Sequence, residues 1–213
     1  MVILKYYSVH AIQHSQGFAV TKTIAEFIWL AGVVGWYVIR HPFVRKSRKT
    51  AVSKSLLDWR EWALLAIASF GLSVIPLTYV VTGFPATLDR PFIPTIAWLG
   101  LPVLGAALWL FRRSHVDLGR NWSATLKVRE AHDLVTTGVY CRIRHPMYSS
   151  FFLLGLAQLL LLPNWLAGVA GLIGAGALFA FRVLREEQMM LELFGDTYRS
   201  YMAHTKRIIP WLY

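Results

Sequence analysis

The sequence predicts an all-α fold, a polytopic membrane bundle of about five transmembrane helices. Three observations lead there. Of 213 residues, 56% are hydrophobic and 15% are charged, where an ordinary soluble domain carries about 25% charged residues. A chain this short has too little interior to hide so much apolar side chain from water. The apolar residues also fall into five runs close to the ~20 residues needed to cross ~30 Å of hydrocarbon. Finally, Lys and Arg collect in alternate connections between those runs, as the positive-inside rule requires. Richness in aliphatic and aromatic residues excludes disorder. Cys141, the single cysteine, excludes a disulfide scaffold. The net charge of +11 is accounted for by topology, so no nucleic-acid partner is expected.

The first run covers residues 23–39, the second 62–82 and the third 93–111, with Pro94 near its start and Pro102 inside. The fourth, 147–162, is short: 16 residues rise only ~24 Å as a helix. The fifth is 166–181. Only Pro163, Asn164 and Trp165 separate the last two runs, which predicts a tight antiparallel helical hairpin over 147–181. Gly168, Gly171, Gly174 and Gly176, with Ala167, Ala170 and Ala175, give the fifth helix a small-residue face suited to close helix packing.

Seven Lys/Arg lie between runs one and two, seven between runs three and four, and five after the fifth begins to end at Arg182. Lys5, Lys22 and Arg90 alone lie opposite. Nineteen against three predicts an outside N-terminus and a cytoplasmic C-terminus. Residues 1–17 lack the long apolar stretch of a secretory signal.

The polar chemistry divides the chain. Residues 1–111 form a three-span membrane region. Residues 112–213 hold the long polar stretch from Arg112 to His145, the hairpin and a polar tail. A connection that long in a compact protein is usually functional; this one is expected to fold back on the membrane face and enclose something. Within it, His132-Asp133-Leu134-Val135-Thr136-Thr137-Gly138-Val139-Tyr140 places a glycine where backbone approaches a ligand or another element. Arg144-His145-Pro146-Met147-Tyr148 puts a proline at a helix start, where unpaired N–H groups favour anions. Arg182 and Glu186 are i and i+4 on one helical face, followed by Glu187. Taken singly, each has a plainer reading: a snorkelling arginine, a helix ion pair, an interfacial histidine. Their convergence at one end of two hairpin helices favours a site. No metal-ligand spacing, Walker loop or GxGxxG occurs, so neither a metal nor a Rossmann-type site is expected.

Residues 118–210 resemble the isoprenylcysteine carboxyl methyltransferase family of membrane enzymes. The resemblance runs through Leu118-Gly119-Arg120-Asn121-Trp122-Ser123, then His132-x-Leu134-Val135-x-x-Gly138-x-Tyr140, then Arg144-His145-Pro146-Met147-Tyr148 and Arg182-x-x-x-Glu186-Glu187. It closes on Phe194-Gly195-Asp196-x-Tyr198-x-x-Tyr201 and Arg207-x-x-Pro210. Each element is weak alone; the order and spacing are specific. The first three spans carry no matching motif.

The resemblance implies a cytosolic pocket, built by the C-terminal half, for S-adenosylmethionine, with S-adenosylhomocysteine as product. Cofactor contacts map to His132, Asp133, Leu134, Val135, Gly138, Tyr140, His145, Pro146, Met147, Tyr148, Glu186 and Glu187. Arg182 and Glu186 are the implied catalytic pair, with Arg182 facing the methyl acceptor. The implied acceptor is an isoprenylcysteine carboxylate or another lipophilic molecule. Arg185 stands where the eukaryotic enzymes tend to be acidic, so acceptor identity stays open, as does the oligomeric state. Phospholipid-amine or thiol methylation is the alternative within the superfamily. Membrane sterol reductases, which use NADPH, share a related C-terminal half but carry Arg-His-x-Asn-Tyr where this chain has Pro146-Met147. A non-enzymatic membrane scaffold would have no reason for this density of motifs.

Overall fold

The computed structural model describes residues 21–47, 52–55, 58–119, 122, 127–129 and 133–212. Helix α1 spans Lys22–Ser47 and α2 Trp59–Thr82, α3 spans Pro94–Leu118 and α4 Pro146–Leu161. Helix α5 spans Trp165–Phe194, and a short α6, Asp196–His204, follows it. Four helical stretches, Lys22–Ser47, Trp59–Thr82, Pro94–Leu118 and Trp165–His204, are long and apolar enough to cross a membrane; α4 is the shorter apolar helix that its run length predicts. Phe27, Val38, Val81, Trp109, Ile173 and Phe181 are each more than 60% exposed. Such a skin of large apolar side chains suits lipid rather than water. The chain is a multi-pass helical membrane protein.

The helices outrun the apolar runs at the charged end. Helix α1 continues through Pro42 to Ser47, α3 to Leu118 and α5 to Phe194. Hydropathy marks where side chains turn polar, whereas the i→i−4 ladder stops only where a terminator intervenes. Gly119 and Gly195 terminate α3 and α5, at φ +55° and +51°. The polar connections also pair in a way the runs do not foretell. Strand β1 (Val52–Ser55) lies antiparallel to β2 (Lys127–Arg129), with Val52 opposite Arg129, Lys54 opposite Val128 and Ser55 opposite Lys127.

The small-residue face works as a packing surface. Ala167, Gly168, Ala170, Gly171, Gly174 and Ala175 are buried, while the nearest atom to a Cβ built on Gly176 is Phe152 at 3.9 Å, so that glycine lies off the seam. A Cβ on Gly155 of α4 would come within 2.7 Å of the Leu172 backbone, and one on Gly71 of α2 within 2.2 Å of the Ala170 carbonyl. The three helices therefore meet backbone to backbone.

A π-helical turn, Phe70–Val74, interrupts α2 at that contact. The Ile75 N–H donates to Phe70 O instead of Gly71 O, and Pro76 has no N–H to offer. The Gly71 carbonyl is left without a helical donor, and buried Gln158 of α4 supplies one, Nε2 to O at 3.1 Å; the same amide group donates to Ala167 O at 2.6 Å. One polar side chain thus joins α2, α4 and α5 in an apolar interior, where an unpaired carbonyl is costly.

At the end opposite the charge cluster, three residues join α4 to α5. The Asn164 side chain accepts from Ala167 N–H at 3.0 Å, capping α5, and donates to Pro85 O and Asp89 Oδ1, both at 2.8 Å.

Candidate functional site

At the charged end, α1, α2, α3, the segment 133–145, α4, α5 and α6 surround a cavity of about 280 Å³. Its walls change character along their length. Tyr140, His145, Arg182 and Glu186 make the polar part, and Trp29, Gly32, Leu104 and Leu154 the apolar part. Both halves of the chain contribute, so the motif-free N-terminal spans supply walls that the motifs do not cover.

Because α5 runs on past residue 181, Arg182 and Glu186 stay on one helical face and meet. Arg182 Nε lies 2.8 Å from Glu186 Oε1, off the hydrogen-bond direction, so the contact is an ion pair rather than a directed bond. Arg182 Nη1 lies 3.1 Å from Glu61 Oε1 of α2. At 8% exposure Arg182 is no snorkelling anchor, and Glu61 is fully buried. Tyr148, two residues into α4 from Pro146, donates its hydroxyl to Glu186 Oε1 at 2.9 Å.

Behind the cavity wall, Glu187 gathers three cationic side chains. Arg144 donates to its Oε1 from Nε and Nη2 at 3.1 and 3.0 Å; His145 Nε2 approaches the same oxygen at 3.3 Å; Arg207 Nη2 donates to Oε2 at 2.8 Å. Backbone bonds from Arg144 N–H to Lys206 O (2.7 Å) and His145 N–H to Arg207 O (2.9 Å) fix the C-terminal segment beside the entry to α4. Arg144 Nη1 also bonds Met202 O at 3.2 Å, and Tyr201 donates to Tyr140 O at 2.5 Å.

Asp133, Leu134, Val135, Tyr140, His145, Pro146, Met147, Tyr148, Arg182 and Glu186 all line the cavity. His132 lies outside the described residues. Gly138 and Glu187 lie off the cavity. Gly138, at φ +63°, lets the chain close on α3: a Cβ there would sit 2.2 Å from Asp117 Oδ2, which accepts from Val139 N–H at 2.9 Å. Glu187 is turned ~100° from Glu186 around the helix, toward Arg144 and Arg207. Tyr140 is buried, donates to Ser114 O at 3.1 Å, and burial pushes its phenol well above the usual range, so it stays protonated. Arg185 turns outward to Asp58 Oδ2 at 3.1 Å, where Asp58 caps α2.

Sequence reasoning missed Glu61, Arg40 and Asp117. Glu61 carried a signal, since it is a lone acid at the edge of an apolar run, where ionisable groups are costly without a role.

His145 lies between two carboxylates, with Nδ1 3.4 Å from Glu186 Oε2 and Nε2 3.3 Å from Glu187 Oε1. Burial disfavours the imidazolium, but the hydrogen bonds and charges of Glu186 and Glu187 outweigh it and raise its pKa above the usual 6.5. A histidine raised in this way stabilises the fold fully below its unfolded pKa and loses that contribution as pH rises through the folded one. The melting temperature is expected to fall as pH climbs above about 7, and to fall less in His145→Gln. Parallel melting curves for the two proteins over that interval would refute the charged imidazole.

Fold and site together define a multi-pass helical membrane protein whose charged end encloses a cavity continuous with its apolar interior. A model of the isoprenylcysteine carboxyl methyltransferase family matches residues 98–192. Protein-S-isoprenylcysteine O-methyltransferase A of Arabidopsis thaliana is 30% identical over 160 residues, covering 74% of this chain and 78% of that enzyme. The fission yeast Schizosaccharomyces pombe enzyme of the same name is 32% identical over 129 residues, 60% of this chain and 55% of its own. The chain belongs to the isoprenylcysteine carboxyl methyltransferase family. Its fold is similar to that of a eukaryotic intramembrane Ras methyltransferase, with a TM-score of 0.53 and 24% identity over 74% of this chain; the match spans about half (55%) of that longer protein.

Proposed function

We propose that the protein transfers a methyl group from S-adenosylmethionine to the carboxylate of an isoprenylcysteine-like or other lipophilic acceptor, at a cavity on the cytoplasmic side of the membrane. The observation that carries this reading is the cavity's continuity from a charged, phenol-lined end to an apolar interior. A polar cofactor and a lipid-borne acceptor need those two surfaces side by side. The names of the relatives support the acceptor class, and the positive-inside distribution of Lys and Arg supports the side.

The residues present fit the cofactor. A sulfonium needs negative charge nearby and no hydrogen bond, and the Glu186 carboxylate, which lines the cavity, supplies it. Tyr148, Tyr198 and Met189 offer flat and polarizable surface to a purine. When bound, the cofactor supplies a methyl electrophile: a C–O bond forms as the C–S bond breaks, and the electron pair goes to sulfur. A carboxylate is already ionised near neutral pH, so no proton moves and no base is needed. What the protein contributes is alignment and exclusion of water. The saturation of Glu187 by Arg144, His145 and Arg207 weighs against an amine acceptor, which would call on a free carboxylate there.

The test is transfer of labelled methyl from S-adenosylmethionine to farnesylated N-acetylcysteine by the purified chain. Base-labile label in the lipid product is expected; label in added phosphatidylethanolamine instead would replace the acceptor.

A further inference from the structure

Arg40 lies on α1, in the half of the chain without motifs, and lines the same cavity as Arg182 and Glu186. Its guanidinium stands 5.2 Å from the ring centre of Trp36 and 5.5 Å from that of Trp122. The other cavity arginines are matched by carboxylates, Arg182 by Glu61 and Glu186 and Arg144 by Glu187. Arg40 has no such match among the described residues, which include every Asp and Glu of the chain except Glu130.

Two indole faces orient a guanidinium without neutralising it, and leave its N–H edge able to take a carboxylate bidentately. An arginine in a membrane helix is expensive unless it faces a cavity and finds an anion there. Arg182 is poorly placed to be that partner for an anionic acceptor. Its guanidinium is already engaged by Glu61 and Glu186, and a carboxylate approaching it would also approach both of theirs. The cavity therefore needs a second, uncommitted cation.

We propose that Arg40 binds the carboxylate of the methyl acceptor, while Glu186, held by Arg182, faces the donor's positive sulfur. This rests on the carboxyl-methylating reading above and assigns the acceptor's anchor to a helix outside the shared motifs.

The test is calorimetry on the full chain in lipid nanodiscs, with S-adenosylhomocysteine present. Farnesylated N-acetylcysteine is compared with its carboxamide, which has the same shape and no charge. The wild type is expected to prefer the acid by at least about tenfold, as for a charge-assisted bidentate pair. Arg40→Gln is expected to lose that preference and Arg40→Lys to keep part of it, both holding S-adenosylhomocysteine within about twofold of wild type, which also reports folding. An Arg40→Gln protein that still prefers the acid would overturn the proposal. So would one that loses S-adenosylhomocysteine affinity while Arg40→Lys keeps the acid preference in full; Arg40 would then serve the donor's carboxylate. A wild type with no preference for the acid would instead bring down the carboxyl-methylating reading itself.

Discussion

Arg182→Ala is expected to abolish methyl transfer and to cost about 3–5 kcal/mol of stability, the range for removing one partner of a buried ion pair. The side chain is 8% exposed and bridges Glu61 of α2 to Glu186 of α5. Without it two buried carboxylates lose the guanidinium they share. The two consequences separate in the double variant Arg182→Met/Glu61→Gln, which removes one of those charges. Its stability is expected to recover most of the loss, because groups in one ion-pair network are strongly non-additive, while methyl transfer stays absent, because Glu186 has lost the guanidinium that positions it. Denaturation midpoints in detergent and labelled transfer measure the two. A stable, fully active Arg182→Ala protein would remove Arg182 from the site.

Glu187→Gln is expected to be nearly as damaging, about 3 kcal/mol or more, although Glu187 does not line the cavity. Its carboxylate is the common acceptor for Arg144, His145 and Arg207. Without its charge, the C-terminal segment loses its attachment to the α4 entry, and Tyr198 and Tyr201, which line the cavity, lose their support. Hydrogen exchange should show residues 205–212 opening ahead of the transmembrane helices, and S-adenosylhomocysteine affinity should fall with it. Unchanged protection there would show that the backbone bonds from Arg144 and His145 hold the segment unaided.

The membrane helices were legible because hydrocarbon thickness imposes a length that composition reveals; even the shortness of α4 could be read. The helical extensions beyond the apolar runs were not. Past Ile39, Phe111 and Phe181 the side chains turn polar while the ladder continues, and only Gly119 and Gly195 mark two of the ends. The π turn was hidden because it depends on a partner, Gln158, 87 residues away in sequence. Most of the motif residues converge on the cavity. The exceptions have geometric causes. Gly138 answers to Asp117, a long-range contact, and adjacent Glu186 and Glu187 cannot face the same way on a helix. Arg40 and Glu61 were obscured by their surroundings: one among seven basic residues that topology already explained, the other beside Trp62 at the edge of a span.

The central claim is that the cavity joins a methyl donor to a lipophilic carboxylate. Competition between S-adenosylmethionine and NADPH, read through labelled transfer to farnesylated N-acetylcysteine, tests it most directly. The account predicts methyl ester formation that S-adenosylhomocysteine inhibits and NADPH leaves untouched. Ester formation absent, with NADPH rather than S-adenosylhomocysteine raising the melting temperature, would contradict it.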